Sequence, residues 1–142
     1  MITTSIEYRI PFADTDQMGV VYYANYLIYF EMAREELMRA IQLPYSVLEK
    51  EGFALPVLEA HCNYHKPAHF EDILTISATL VEVNRLKLKV ACEVKRGDEI
   101  LADGYTFHAF INRNGKLIRP PELFLSRIAE FSAITDTRSS KS

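Results

Sequence analysis

Two carboxylates, a glycine and the start of an apolar stretch follow one another in Phe12-Ala-Asp14-Thr-Asp16-Gln-Met-Gly19-Val-Val-Tyr22-Tyr23-Ala-Asn25-Tyr26-Leu-Ile-Tyr-Phe30-Glu31-Met-Ala33-Arg34. The first N–H groups of a helix have no acceptor within it and carry partial positive charge. A carboxylate held beside them sets an acid next to a place for a developing oxyanion, the two parts of an acyl-transfer centre. The competing reading is that Asp-x-Asp before a helix does only turn and cap work, its oxygens accepting nearby backbone N–H groups. Asp14 lies against the preceding strand and is expected to be structural. Asp16, nearer Gly19 and the helix start, is the reacting candidate.

Other reactive side chains fit less well. His61, His65 and His69 are four residues apart, a metal-binding spacing on a helix. Pro67 interrupts them and the segment reads as strand, where successive members would stand about 13 Å apart. No metal site is expected. His108 reads as a core or pocket-lining histidine, and Glu31 as a partner for Arg34 within a helix. Cys62 and Cys92 sit in apolar stretches, as buried thiols do in a reducing compartment. There is no Gly-rich phosphate loop and no Gly-x-Ser-x-Gly elbow, which excludes nucleotide kinases and α/β-hydrolases.

The elements that must position the carboxylates can be read from periodicity. Ile6, Tyr8, Ile10 and Phe12 alternate with Glu7, Arg9 and Pro11, a strand that Pro11 marks as an edge or an end. From about Tyr23 to Ile41 the period becomes helical, through Leu27, Phe30, Arg34, Leu37, Met38 and Ile41. Its first half is apolar on more than one face, which predicts burial. Pro44 to Glu51 reads as a short helix stopped by Gly52. Strands are predicted over Ala54–Tyr64, Leu74–Leu80, Leu86–Val94 and Ile100–Ile111, with turns at Arg96–Glu99 and Asn112–Lys116. Pro120-Pro121 opens a last short helix over Glu122–Phe131. One strand, one long helix, then a run of antiparallel strands is α+β, a curved antiparallel sheet wrapped around a long central helix.

The chain has 142 residues, with 16 Lys and Arg against 19 Asp and Glu, a formal charge of −3, and 49% hydrophobic residues. That predicts one domain over residues 1–132, with a frayed polar tail over 133–142. The acidic balance argues against a nucleic-acid binder that works through bulk positive charge. The longest uncharged stretch, Gln17 to Phe30, is too short to span a bilayer, and no secretory signal opens the chain, so a cytoplasmic location is expected.

Phe12-x-Asp14-x-Asp16-x-x-Gly19-Val-Val-Tyr22-Tyr23-x-Asn25-Tyr26, followed by Phe30-Glu31-x-Ala33-Arg34, resembles the signature of the 4-hydroxybenzoyl-CoA thioesterase family, hotdog-fold acyl-CoA thioesterases. The resemblance continues through Tyr64-x-Lys66-Pro67-Ala68-x-Phe70-x-Asp72-x-Leu74 and the hairpin strands to about Phe110. It implies that Asp16 is the catalytic carboxylate, attacking the thioester carbonyl or activating a water. It implies that the Tyr23 backbone N–H polarises the thioester oxygen and that Gly19 permits close approach. Tyr22, Asn25 and Tyr26 would shape the pocket or orient the loop. Arg85 and Lys87 match the place where basic residues hold the coenzyme A nucleotide, with Lys66 and Arg96 as weaker candidates. No cofactor is implied. A homodimer is, with the active site at its interface, and a tetramer built from two dimers. Aromatic acyl groups such as hydroxybenzoyl or 1,4-dihydroxy-2-naphthoyl, fatty acyl groups and acyl carrier protein thioesters all remain open. The rivals are a hotdog acyl-thioester hydratase or dehydratase, and a non-catalytic acyl-CoA-binding module.

Overall fold

A computed structural model describes residues 2–140, with side chains to residue 133. The elements are β1 (Ile2–Arg9), α1 (Asn25–Ala40), α2 (Tyr45–Lys50), β2 (Val57–Tyr64), β3 (Ile73–Val83), β4 (Leu88–Arg96), β5 (Glu99–His108), a two-residue β6 (Phe110–Ile111) and β7 (Leu117–Ile118), and α3 (Glu122–Ser140). The five long strands form one antiparallel sheet in the order β1-β3-β4-β5-β2. α1 packs on β1, β3 and β4, so the sheet wraps the helix in the hotdog arrangement.

Alternation and helical period converge on one core. Leu74, Ile76, Ala78 and Leu80 of β3 and Leu88, Val90, Cys92 and Val94 of β4 are buried, and so are Tyr26, Tyr29, Phe30, Ala33, Leu37 and Met38 of α1. Each such large side chain contributes about 1.5–3 kcal/mol by leaving water. β5 meets both neighbours at Gly104, opposite Cys62 and Cys92. A Cβ there would lie 1.9 Å from the His61 carbonyl oxygen, so β2 comes this close only because the residue is glycine.

Five sequence expectations need correction. β1 ends at Arg9, and Phe12 is 75% exposed in a short 3-10 turn over Phe12–Asp14, because Pro11 cannot continue the ladder. Leu86 is 79% exposed instead of opening β4, because the Asn84 side chain accepts the Leu86 and Lys87 N–H groups in a tight turn. The return strand breaks after His108. The last helix runs to Ser140, well beyond Phe131 and into the segment read as a frayed tail, since no proline or glycine stands there to end it. Leu27 and Ile28 are 41% and 56% exposed, so the first half of α1 is not buried all round. No helix among the described residues is long and apolar enough to cross a membrane.

Candidate functional site

The segment between β1 and α1 is a small hairpin. Thr15 bridges Val21, the Asp16 N–H donates to the Val20 carbonyl at 2.9 Å, and Gln17-Met18-Gly19 form the tip. Gly19 has φ of 80°, which disfavours a side chain, and its N–H donates to the Asp16 carbonyl at 3.0 Å. The hairpin is held from below by the loop before β3. The Val21 N–H donates to Ala68, and Val20 bridges His69. That lower loop is fixed in turn by Arg96, which donates to the Pro67 carbonyl and to Asp72 and pairs with Glu99, while Lys66 also pairs with Glu99. These cations hold the Glu99 carboxyl below its usual range, and the His69 N–H and Arg96 outweigh partial burial to lower Asp72.

Asp16 is exposed on the single chain. Its Oδ1 accepts the Met18 N–H at 2.8 Å and the Val20 N–H at 3.4 Å, and no described residue bonds its Oδ2. The turn-forming role of an Asp-x-Asp sequence is thus present at one oxygen, and the other is free. Asp14 is built differently. Its Oδ2 accepts the Tyr8 hydroxyl at 3.0 Å and the Tyr29 hydroxyl at 2.7 Å. Its main-chain carbonyl accepts the Tyr22 N–H and the Asn25 side-chain amide, both at 2.9 Å. Asn25 therefore ties the loop to the helix, one of the two roles the sequence left open for it.

α1 opens without a side-chain cap, on Ala24. The Tyr23 and Ala24 N–H groups donate to no described residue. This exposed positive end can accept an anion or a polarised carbonyl oxygen. A cleft of about 290 Å³ adjoins it, lined by Val21, Tyr23, Tyr26, Tyr64, His65, Lys66 and Pro67. The Tyr64 hydroxyl donates to the Tyr23 carbonyl at 3.0 Å, and its ring meets those of Tyr23 and Tyr26 edge-on. Burial, with Cys62 beside it, pushes the Tyr64 phenol up to about 12. Tyr22 stacks obliquely on Tyr23, with 4.8 Å between ring centroids, and both are exposed.

Asp16, Gly19, Tyr22, Tyr23, Asn25 and Tyr26 therefore gather at one end of the sheet. Arg85 and Lys87 do not join them. They line a groove of about 880 Å³ with Leu58, Leu86, Leu117 and Arg119. The Lys87 ammonium sits 4.3 Å from the Phe107 ring centroid. β3 runs from Ile73, opposite Arg9 before the hairpin, to Val83 before the basic turn. That is roughly 33 Å of strand at 3.3 Å per residue. Sequence reading missed Arg119, whose only signal was a cation three residues beyond the Asn112–Lys116 turn, and missed Tyr64 and His65 at the mouth of the cleft.

A second polar cluster is buried in the core. Arg34 pairs with Glu31 and donates to Thr106 and Tyr45, both at 3.3 Å, and His108 lies 2.7 Å from the Thr106 hydroxyl. Burial, with Arg34 nearby, pushes His108 down to about 4, so it is neutral at physiological pH. His61 on β2 and His65, just past its end, are joined through Asn63 and Asp103, while His69 stands apart in the next loop.

Comparison with known proteins places these observations in a family. The model of the thioesterase-like superfamily matches residues 10–133. The crystal structure of a hypothetical protein from Aquifex aeolicus superposes with a TM-score of 0.84 at 31% identity, over 87% of this chain and 98% of that one. An acyl-CoA thioester hydrolase of Escherichia coli is 32% identical over 80 residues, 56% of this chain and 60% of that protein. A 1,4-dihydroxy-2-naphthoyl-CoA thioesterase from Synechocystis superposes with a TM-score of 0.82 at 26% identity, over 89% of this chain and 96% of that one.

Proposed function

The chain belongs to the thioesterase-like superfamily, and on that premise we propose that it hydrolyses acyl-CoA thioesters in a site shared between two copies of itself, with Asp16 as the reacting carboxylate. The observation that carries this reading is the uncapped start of α1. The Tyr23 and Ala24 N–H groups are free beside a loop whose Asp16 keeps one oxygen unbonded. The thioester carbonyl oxygen lies on those N–H groups, which stabilise it as charge develops. Asp16 Oδ2 attacks the carbonyl carbon or takes the proton of the water that does. The carbon–sulfur bond breaks, coenzyme A leaves as its thiol, and water supplies the oxygen of the free acid. The tyrosine-lined cleft favours an aromatic acyl group, which packs on the rings of Tyr23, Tyr26 and Tyr64.

The edge of the sheet supports homodimerisation. Seven of the eight β2 residues are exposed and Cys62 is half-buried, leaving one row of backbone groups unpaired. Exposed Val57 and Leu58 flank that edge, and Leu27 and Ile28 add an uncovered apolar face on α1. Antiparallel pairing of β2 with its copy about a two-fold axis covers both. It also accounts for the length of β3, roughly 33 Å, that lies between the hairpin and the basic turn. β2 starts at the basic end, where Val57 and Leu88 both face His108, and ends at Tyr64 against Tyr23. A two-fold axis across β2 therefore brings the partner's basic groove to this chain's Asp16 end. The coenzyme A phosphates sit on the partner's groove, where each charge-assisted contact is of the strong kind. Two such dimers form the tetramer.

The test is a panel of benzoyl-, naphthoyl-, short and long fatty acyl-CoA thioesters incubated with a thiol reagent. Release of free thiol is expected, fastest for an aromatic acyl group, and none from Asp16→Ala. Loss of enoyl absorbance without thiol would make the protein a hydratase, and neither signal would make it an acyl-CoA-binding module.

A further inference from the structure

We propose that Asp14 is a positioning residue for the reaction, the pin that holds the Asp16 carboxylate and the free helix N–H groups in register; this rests on the reading of Asp16 given above. Most of the hairpin that carries Asp16 is exposed, with residues 16–19 and 11–13 open to solvent. An exposed loop does not by itself hold a reacting atom to the fraction of an ångström that an attack geometry demands.

Four hydrogen bonds converge on Asp14, and they come from two different elements and the helix entry. The Tyr8 hydroxyl reaches it from β1 and the Tyr29 hydroxyl from α1, both onto Oδ2. Its carbonyl takes the Tyr22 N–H and the Asn25 amide. Tyr22 immediately precedes the free Tyr23 N–H, and the Asp14 carbonyl lies two residues before Asp16. Both halves of the reacting centre are thus tied to one residue.

An aspartate doing only turn work bonds the backbone two residues on, as Asp16 does with Met18. Asp14 does not; its side chain spans the gap between strand and helix. Tyr29 is 1% exposed and its ring lies 5.2 Å from that of Tyr8, so the donors are themselves fixed by packing. Burial first, and then the neighbouring Asp14 carboxylate, raises both phenols above their ordinary value. They remain protonated donors throughout the physiological range.

The experiment compares Asp14→Ala, Tyr8→Phe, Tyr29→Phe and the Asp14→Ala/Tyr29→Phe double variant, with Asp16→Asn alongside. Alanine is used at position 14 because an asparagine amide oxygen would still accept both hydroxyls. The readouts are kcat, KM and Tm on the thioester that the intact protein cleaves fastest. Asp14→Ala and Tyr29→Phe should each lower kcat roughly tenfold or more and leave KM within about twofold. The double variant should be no slower than the worse single one, because removing the carboxylate already breaks the Tyr29 contact. Folded variants with unchanged kcat, or a loss confined to Tm or to KM, would overturn the proposal. If Asp14→Ala does not fold, Tyr29→Phe and Tyr8→Phe decide the matter alone, since each removes only a hydroxyl. An active Asp16→Asn would instead sink the underlying reading, whereas an inactive Asp16→Asn beside wild-type-like Asp14→Ala and Tyr29→Phe would sink only the pin.

Discussion

The two ends of the sheet solve different problems with different materials. The Asp16 end is built from backbone: a glycine turn at positive φ, an uncapped helix start and two N–H groups that no described residue accepts, braced by tyrosines. The Arg85–Lys87–Arg119 end is built from long cationic side chains around apolar Leu58, Leu86 and Leu117. Rigid dipoles suit a charge that exists only briefly at one point, because they need no rearrangement as it forms. Flexible cations suit phosphates that stay charged throughout and arrive from solvent. On the proposed reading, chemistry and grip are divided between regions that one chain holds apart and that pairing of two copies would bring together.

That division predicts different kinetic failures at the two ends. Asp16→Ala should reduce kcat by roughly 10²–10⁴-fold with the fold intact, read by thiol release and by an unchanged melting curve. A smaller effect on kcat would move the chemistry away from the loop. Gly104→Ala tests the edge proposed to join two copies. Its Cβ would collide with the His61 backbone, so it should displace β2 and cost about 1–3 kcal/mol, seen as a lower Tm together with a shift from dimer to monomer by light scattering. Arg85→Ala or Arg119→Ala should raise KM for CoA esters roughly tenfold and leave kcat near its original value, with little effect on thioesters lacking the nucleotide. Equal losses on both substrate types would remove phosphate binding from that groove.

Acid should erode the grip end through its core. His108 pairs across the strands with Val57 and Leu88, behind the basic groove. Its folded pKa of about 4 lies below the unfolded value of roughly 6.5, so the unfolded chain binds more protons between those values. Stability is therefore full above about pH 6.5 and falls as pH drops toward 4. Asp72 and Glu99, whose carboxyls are lowered by their cations, add losses of the same sign at lower pH. Tm measured across this range should fall, and His108→Gln should flatten the upper part of the curve.

Much of this was legible in the sequence wherever it is local. The alternation of Leu74 to Leu80 and the helical spacing of Phe30, Ala33, Leu37 and Met38 report burial directly, because side-chain direction follows backbone period. The Asp14–Tyr26 segment announced a loop entering a helix, and the hairpin has that form. Contacts between distant segments were not legible. Nothing local marks Gly104 as the place where β2 must come close, or Tyr8 and Tyr29 as donors to one carboxylate. Arg85 and Lys87 were tied to the coenzyme A nucleotide by the resemblance alone, with no local signal of where they stand relative to Asp16. That the length of β3, roughly 33 Å, lies between the hairpin and the basic turn appears once strand register is known, and Leu27 and Ile28 read as core because an apolar residue in a helical period does not reveal whether its own chain covers it.

The most direct test of a shared site is complementation between two crippled subunits. Asp16→Ala and Arg85→Ala/Lys87→Ala proteins are unfolded together, refolded at equal ratio, and assayed at low acyl-CoA concentration. Random pairing makes half the dimers mixed, each with one intact site of two, so about a quarter of the original activity should return. A mixture no more active than the average of its two parents would contradict the account.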